Sequence, residues 1–303
     1  MSAEITGIGA NVFDTLVKLP AFPVEDTKSY VETVVASGGG PTGTGLVAAS
    51  KLGAACAIIA VLSSDSGGRF LKEDYQKYGV STSLVEVCDG ESFSATVLLN
   101  GATGSRTCLL NRGTLPKLTL TNAQIDEITA SKVFMVDGNE MEAAIQAARL
   151  ARLADTKVLY DAGGLYPNVE RLLPFVNILI PSAEYALGLT KKATLEEAAR
   201  DLFARFHPEI VVITNGSQGG ILFDGSELRA YPAFPVQVAD SNGAGDVFHG
   251  AFAFAVTKGW DYFKCCVFSS AVSALKCTKV GARRGVPTFE ETIQFLKAHG
   301  IEY

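Results

Sequence analysis

The sequence predicts an α/β fold: a doubly wound, mostly parallel central sheet flanked by helices. Short apolar, β-rich runs alternate with helical patterns through most of the 303 residues, as a sheet covered on both faces requires. Two segments break that alternation, at 12–35 and 82–111. Three long helical patterns then close the chain.

Each element follows from its local pattern. Residues 5–9, 55–62, 132–136, 157–160, 177–180 and 210–214 are the apolar runs expected as buried strands. Between them, 69–78, 142–153 and 194–206 carry polar residues recurring on one face, the mark of amphipathic helices. In 82–111 the alternation of Phe93, Ala95, Val97 and Leu99 has the two-residue period of a half-buried strand, so this segment and 12–35 read as antiparallel strands. Asp224-Gly225 separates two β-rich runs within 220–231, which predicts a hairpin. The closing helices are expected at 244–256, 262–277 and 288–299.

Composition narrows the function classes. With 48% hydrophobic and 19% charged residues the chain has the apolar content for one large or two modest domains. A net charge of −6 and a pI near 5.2 argue against a nucleic-acid surface, which draws on clustered Lys and Arg. The start Met1-Ser2-Ala3-Glu4-Ile5 lacks the basic residues and apolar run of a signal peptide, and Lys51 interrupts the most apolar stretch. The expectation is a cytoplasmic protein with no membrane partner. Cysteines 56, 88, 108, 265, 266 and 277 have no metal-ligand spacing, and histidines 207, 249 and 299 form no His-x-His or HExxH pair. His249 follows Asp246 by three and reads as a packed helix histidine.

The chemistry concentrates in Asp240-Ser241-Asn242-Gly243-Ala244-Gly245-Asp246-Val247-Phe248. Gly243 and Gly245 allow bare backbone N–H groups to approach a ligand, and the apolar helix that follows turns its positive end toward them. Such a helix start binds anions. An acid in the first turn also serves simply as a dipole partner, but an anion cradle beside a carboxylate suits phosphoryl transfer, where an acid accepts the hydroxyl proton.

A second glycine loop offers a rival. Gly38, Gly40 and Gly43 form a GxGxxG, with Asp65 beyond the next strand, as in a dinucleotide fingerprint. Glu32 and Thr33 in the preceding run do not suit a central parallel strand, and Pro41 stiffens the loop. No GxxxxGK[ST] occurs.

The 240–248 string closely resembles the signature loop of the PfkB/ribokinase family of carbohydrate kinases, and the resemblance extends over nearly the whole chain. It implies Asp246 as catalytic base, with Gly243, Ala244 and Gly245 holding the transferring phosphate. It implies that the two excursions form a small β-sheet lid over the sugar, often paired with a second subunit's lid, so residues 12–35 and 82–111 are expected as lid and 1–11, 36–81 and 112–303 as core. The stretch from Gly39 to Gly53 is similar to the family's sugar motif, so Gly39 and Gly40 would bring backbone to the sugar, and Thr44 stands where Asn is common. Asp14 matches the sugar-binding Asp after the first strand, and a carboxylate can accept from two adjacent hydroxyls.

On the nucleotide side, Thr214, Gly216 and Gly219 resemble the loop that contacts ATP phosphates, with Gln218 in place of the common Lys. The Asn-x-x-Glu element tied to magnesium falls at Pro181-Ser182-Ala183-Glu184, where Ser182 replaces Asn and Glu184 comes one place early. ATP and Mg2+ are implied, with no assignable metal ligands. Asp240, Asn242 and the segment Lys279-Val280-Gly281-Ala282 match a monovalent-cation site of many relatives.

Gly38-Gly39-Gly40-Pro41, Gly104-Ser105-Arg106-Thr107 and Ala274-Leu275-Lys276-Cys277-Thr278 resemble the ketohexokinase and 6-deoxy-6-sulfofructose kinase branch. Lys28 and Asn111 match sulfonate-gripping positions there, while Asn139 stands where those enzymes have Arg; this disfavours a strongly anionic substrate unless Arg112 substitutes. The sequence thus points to an ATP-dependent kinase acting on a hydroxymethyl group of a small sugar, a ketose or ketose derivative. A nucleoside kinase, an idle sugar-binding protein and a dehydrogenase are its rivals.

Overall fold

Ile5–Ile8 (β1) lies inside a ten-stranded sheet and pairs in parallel with two neighbours far along the chain, Cys56–Ser63 (β4) and Val133–Val136 (β9). The structure is a computed structural model and describes residues 2–103 and 105–303; Met1 and Gly104, the first residue of the 104–107 stretch, lie outside the described residues. On one side the sheet continues in parallel through Lys157–Ala162 (β10), Ile178–Pro181 (β11) and Ile210–Thr214 (β12). It ends in the antiparallel hairpin Gly220–Phe223 (β13) and Leu228–Tyr231 (β14). On the other side Val80–Ser81 (β5) and Val85–Cys88 (β6) both pair with β4.

Two apolar faces explain why the strands read as unbroken hydrophobic runs. Ile5, Met135, Leu159, Ile180 and Val212 pack on one face with Pro41–Lys51 (α1), Ala244–Thr257 (α7), Tyr262–Cys277 (α8) and Phe289–Ala298 (α9). Ile8, Phe134, Val136, Tyr160 and Leu179 pack on the other, with Met141–Leu153 (α4) and Leu195–Phe206 (α6). Ser66–Lys77 (α2), Asn122–Ala130 (α3) and Ala183–Thr190 (α5) complete the layers. Helix α7 is buried from Val247 to Ala255, so it has no polar stripe; each of Phe248, Phe252 and Phe254 contributes about 2 kcal/mol by leaving water.

Most of these helices begin with a capping side chain: Asp65 on α2, Thr121 on α3, Ser182 on α5, Thr194 on α6, Thr288 on α9, and Asp261 on α8. Helix α7 begins instead at Gly243, with φ 75° and no side-chain cap; the Ala244 N–H turns back to the Ser241 carbonyl at 3.2 Å. Among the described residues no helix is long and apolar enough to cross a membrane.

A separate sheet has the order β3-β2-β7-β8, from Val12–Leu19 (β2), Thr33–Gly39 (β3), Ser94–Asn100 (β7) and Arg106–Asn111 (β8). Its apolar side gathers Val12, Leu16, Ala95 and Val97 around Phe93 and Leu99. Three details differ from the sequence expectation. The two hairpin-like pairs are antiparallel, but β2 and β7 join in parallel, because the chain passes through the main sheet between them. Residues 85–88 belong beside β4, outside the small sheet. Strand β3 runs on to Gly39, four residues past the expected boundary at 35, so the first two glycines of the Gly-rich stretch are strand residues and not a phosphate loop.

Candidate active site

The main sheet and the small sheet converge on the N-terminus of α7. Gly245 is exposed, and a Cβ added to it would meet no atom within 4 Å, so the space over the helix start is open. Ala244 and Gly245 border a cavity of about 420 Å3 whose walls include Thr214, Gly216, Gly219 and Phe248. The backbone cradle and the strand-exit loop expected to contact phosphates thus share one cavity. Ser182 lies just behind it: its Oγ accepts the Tyr185 N–H as the cap of α5, and its backbone bridges Thr214. Glu184 points to solvent. Among the described residues no group of three His, Cys, Asp or Glu side chains could hold a metal ion.

Asp246 sits in the first turn of α7, where burial and the nearby Asp161 carboxylate push its pKa up to about 7; Asp137 adds to the rise, while His249 and Arg106 oppose it. Asp137 and Asp161 were not singled out from the sequence. Asp137 follows β9 directly and Asp161 is the penultimate residue of β10; acids at the carboxyl ends of adjacent parallel strands, with Gly close behind, are the signal that could have found them. Buried Asp137 accepts from the N–H groups of Ala10, Thr42 and Asn139, binding three chain crossings together.

His249 is packed, as expected of a buried helix histidine. Its Nε2 lies 2.9 Å from the Ile180 carbonyl, and Nδ1 lies 2.6 Å from the Gly245 carbonyl and 3.2 Å from Asp161 Oδ2. Burial presses the ring toward its neutral form against the pull of these acceptors, and burial with the Asp137 charge raises Asp161 well above the carboxylate range. Burial thus favours the neutral form of both groups.

Asp14 extends from β2 on the other side of the site. Burial lifts its pKa to about 7, Arg283 opposes the rise, and Asp246 adds to it, so the Asp14 and Asp246 carboxylates feel one another. A Cβ on Gly39 would stand 2.2 Å from Asp14 Oδ2. Gly40, with φ 95°, lets the chain pass the Ala10 carbonyl at a distance no Cβ could occupy. The Thr44 hydroxyl is buried with no hydrogen-bond partner.

The remaining expected positions divide. Arg112 Nη1 donates to Asn139 Oδ1 at 3.1 Å, while Asn139 Nδ2 donates to Asp137; the guanidinium of Arg112 thus reaches the position at which an Arg was missed in the sequence. Asn111 is exposed at the end of β8 and accepts the Gly113 N–H. Lys28 lies exposed in the segment between β2 and β3 and joins none of these contacts. At the cation-linked locus, Asp240 accepts from the N–H groups of Asn242 and Gly281, and the fully buried Lys276 ammonium donates to the Asp240 carbonyl at 2.7 Å.

A model of the pfkB family carbohydrate kinases matches residues 8–289. The chain belongs to this family. It is therefore a carbohydrate kinase, and individual members of the family resemble it at low identity. It is 27% identical to a 5-dehydro-2-deoxygluconokinase of Clostridium botulinum over 88% of this chain and 85% of that protein. It is 25% identical to the ribokinase of Haemophilus influenzae over 98% and 99%. Its fold is that of Arabidopsis thaliana ribokinase solved with ribose and ATP, with a TM-score of 0.87 at 24% identity over 98% and 99% of the two chains. The doubly wound sheet with a separate small sheet is thus the ribokinase-like arrangement.

Proposed function

We propose that this carbohydrate kinase transfers the γ-phosphate of ATP to a hydroxymethyl group of a ketose or ketose derivative, with Asp246 as general base. The observation that carries the reading is the position of Asp246: a carboxylate with a pKa of about 7, in the first turn of an uncapped helix whose start opens on the 420 Å3 cavity. A base with that pKa is substantially ionised at neutral pH yet basic enough to take a proton as the hydroxyl attacks. The arrangement of the cavity fits a nucleotide: Phe234 and Val236 offer apolar walls for a base, and the loop with Thr214, Gly216 and Gly219 leads to the helix start.

ATP would supply the phosphoryl group, and Mg2+ carried on its phosphates would neutralise their charge. The N–H groups of Gly243, Ala244 and Gly245 stabilise the negative charge that spreads over the transferring group. Arg106, whose charge is felt by both Asp246 and Lys276, reaches the same region from β8, a role the sequence did not suggest for it. Asp14 accepts from two sugar hydroxyls, Gly39 and Gly40 bring backbone against the ring, and Thr44 offers its unpaired hydroxyl. Arg112, oriented by Asn139, adds a positive charge at the rim of this side, which accommodates an acidic ketose derivative as well as a neutral one.

The small sheet serves as a lid in this reading. Val35 and Leu110 lie on one side of it and Val34 and Leu109 on the other, each at least half exposed, apolar side chains that a second copy's lid would cover in a homodimer. Six free cysteines suit a reducing, cytoplasmic setting. ADP release from Mg-ATP, measured across neutral ketoses, acidic ketose derivatives, aldoses and nucleosides, tests the substrate class. Turnover confined to ketoses supports the reading; turnover confined to nucleosides replaces it, and sugar binding without turnover marks a binding protein.

A further inference from the structure

Arg283 is 1% exposed, yet it is a full charge in the loop between α8 and α9. Its Nη2 donates to the Gly39 carbonyl at 2.9 Å and to the Tyr75 hydroxyl at 3.2 Å, and Nη1 donates to Asp74 Oδ2 at 2.8 Å. The guanidinium also lies over the Tyr75 ring, and Tyr75 passes the chain of contacts on to Asn11 Oδ1 at 2.7 Å. Asn11 and Gly39 are two points where the small sheet leaves the core.

The glycine-rich stretch is shaped around this group. A Cβ on Gly38 would fall 2.1 Å from Arg283 Nη1, and one on Gly43 would fall 2.1 Å from the Tyr75 hydroxyl, while Gly39 makes room for Asp14 on the opposite side of the strand. The GxGxxG thus houses a buried guanidinium behind the strand and a carboxylate before it. One strand's thickness separates the two charges, and the ion pair of Arg283 is with Asp74 instead.

We propose that Arg283 is a positioning residue for the sugar site: seated behind Gly38 and Gly39, it fixes the Gly39 carbonyl and sets a positive charge behind the strand that carries the Asp14 carboxylate on its other side. The part concerning sugar rests on Asp14 binding sugar, as proposed above. Asp14 is faced by Arg283 from the loop after α8 and by Asp246 from α7, and Asp74 and Tyr75 of α2 face Arg283 itself. Burial alone drives Asp14 toward its neutral form, in which it would accept poorly; Arg283 opposes that drive without occupying the cleft. Lys18, Lys77, Lys279 and Arg284 line the outer groove, where water screens them.

The test is a 13C carboxyl NMR titration of the full chain labelled at aspartate, with the Asp14 signal assigned by its loss in Asp14→Asn. Arg283→Met should raise the Asp14 midpoint by about one pH unit, Arg283→Lys should hold it near the wild-type value, and Asp74→Asn should lower it by leaving Arg283 uncompensated. If Arg283→Met does not fold, the Asp74→Asn shift decides. An Asp14 midpoint unmoved in the folded variants overturns the proposal. Ketose binding measured on the same proteins separates the two claims: if Asp14→Asn leaves affinity unchanged, the sugar-site reading fails while the charge coupling stands.

Discussion

Nδ1 of His249 stands 3.2 Å from Oδ2 of Asp161, one helical turn below Asp246 and out of contact with solvent. Both ring nitrogens also face carbonyl oxygens, which only accept, so at least one of these acceptors depends on the ring for a proton. His249→Leu should destabilise the protein by about 2–3 kcal/mol, because it takes the ring N–H away from the buried carbonyls of Ile180 and Gly245. Urea unfolding measures this; a change under about 0.5 kcal/mol would mean that the ring only fills space.

Gly245 separates a ligand role from a folding role. Nothing in the protein lies within 4 Å of its would-be Cβ, so Gly245→Val should fold with stability within about 1 kcal/mol of wild type. The new side chain would stand where phosphate must approach backbone, so ATP affinity should fall at least about ten-fold. Unchanged ATP affinity by titration calorimetry would remove these N–H groups from the phosphate site.

Asp14 and Asp246 also predict how stability depends on pH. Both have folded pKa values raised from 3.8 to about 7, so the native state binds more protons than the unfolded chain between pH 4 and 7. Stability is therefore lost as pH rises through that window. Asp246→Asn should stabilise the protein by about 2 kcal/mol at pH 8, after discounting for solvent access, and by little at pH 4. Thermal melts at the two pH values check the sign; equal effects at both would contradict the raised pKa.

Much of the scaffold was legible because its signals are local. The apolar runs of β1, β9 and β11 and the amphipathic α4 and α6 stand within a residue or two of the expected bounds, as does the hairpin around Asp224-Gly225. The parallel β2–β7 pairing was not legible, since it joins residues some eighty positions apart and periodicity carries no partner information. The same holds at the site. The 243–246 cradle is contiguous in sequence, whereas Asp137, Asp161, Arg106 and Arg283 reach it from separate elements, and each alone reads as an ordinary strand-end acid or surface cation. GxGxxG showed why a short motif needs its context: Gly38 and Gly43 make room for Arg283 and Tyr75, a requirement set by residues distant in the chain.

The most direct test of the central claim is single-turnover phosphoryl transfer by Asp246→Asn, using the ketose with the highest wild-type rate and with ATP affinity measured in parallel. The substitution keeps shape and removes the proton acceptor, so the account predicts unchanged ATP binding and a rate lower by about a thousand-fold. A rate within a few-fold of wild type, with the protein folded and ATP bound, would show that the proton leaves by another route and that Asp246 is not the base.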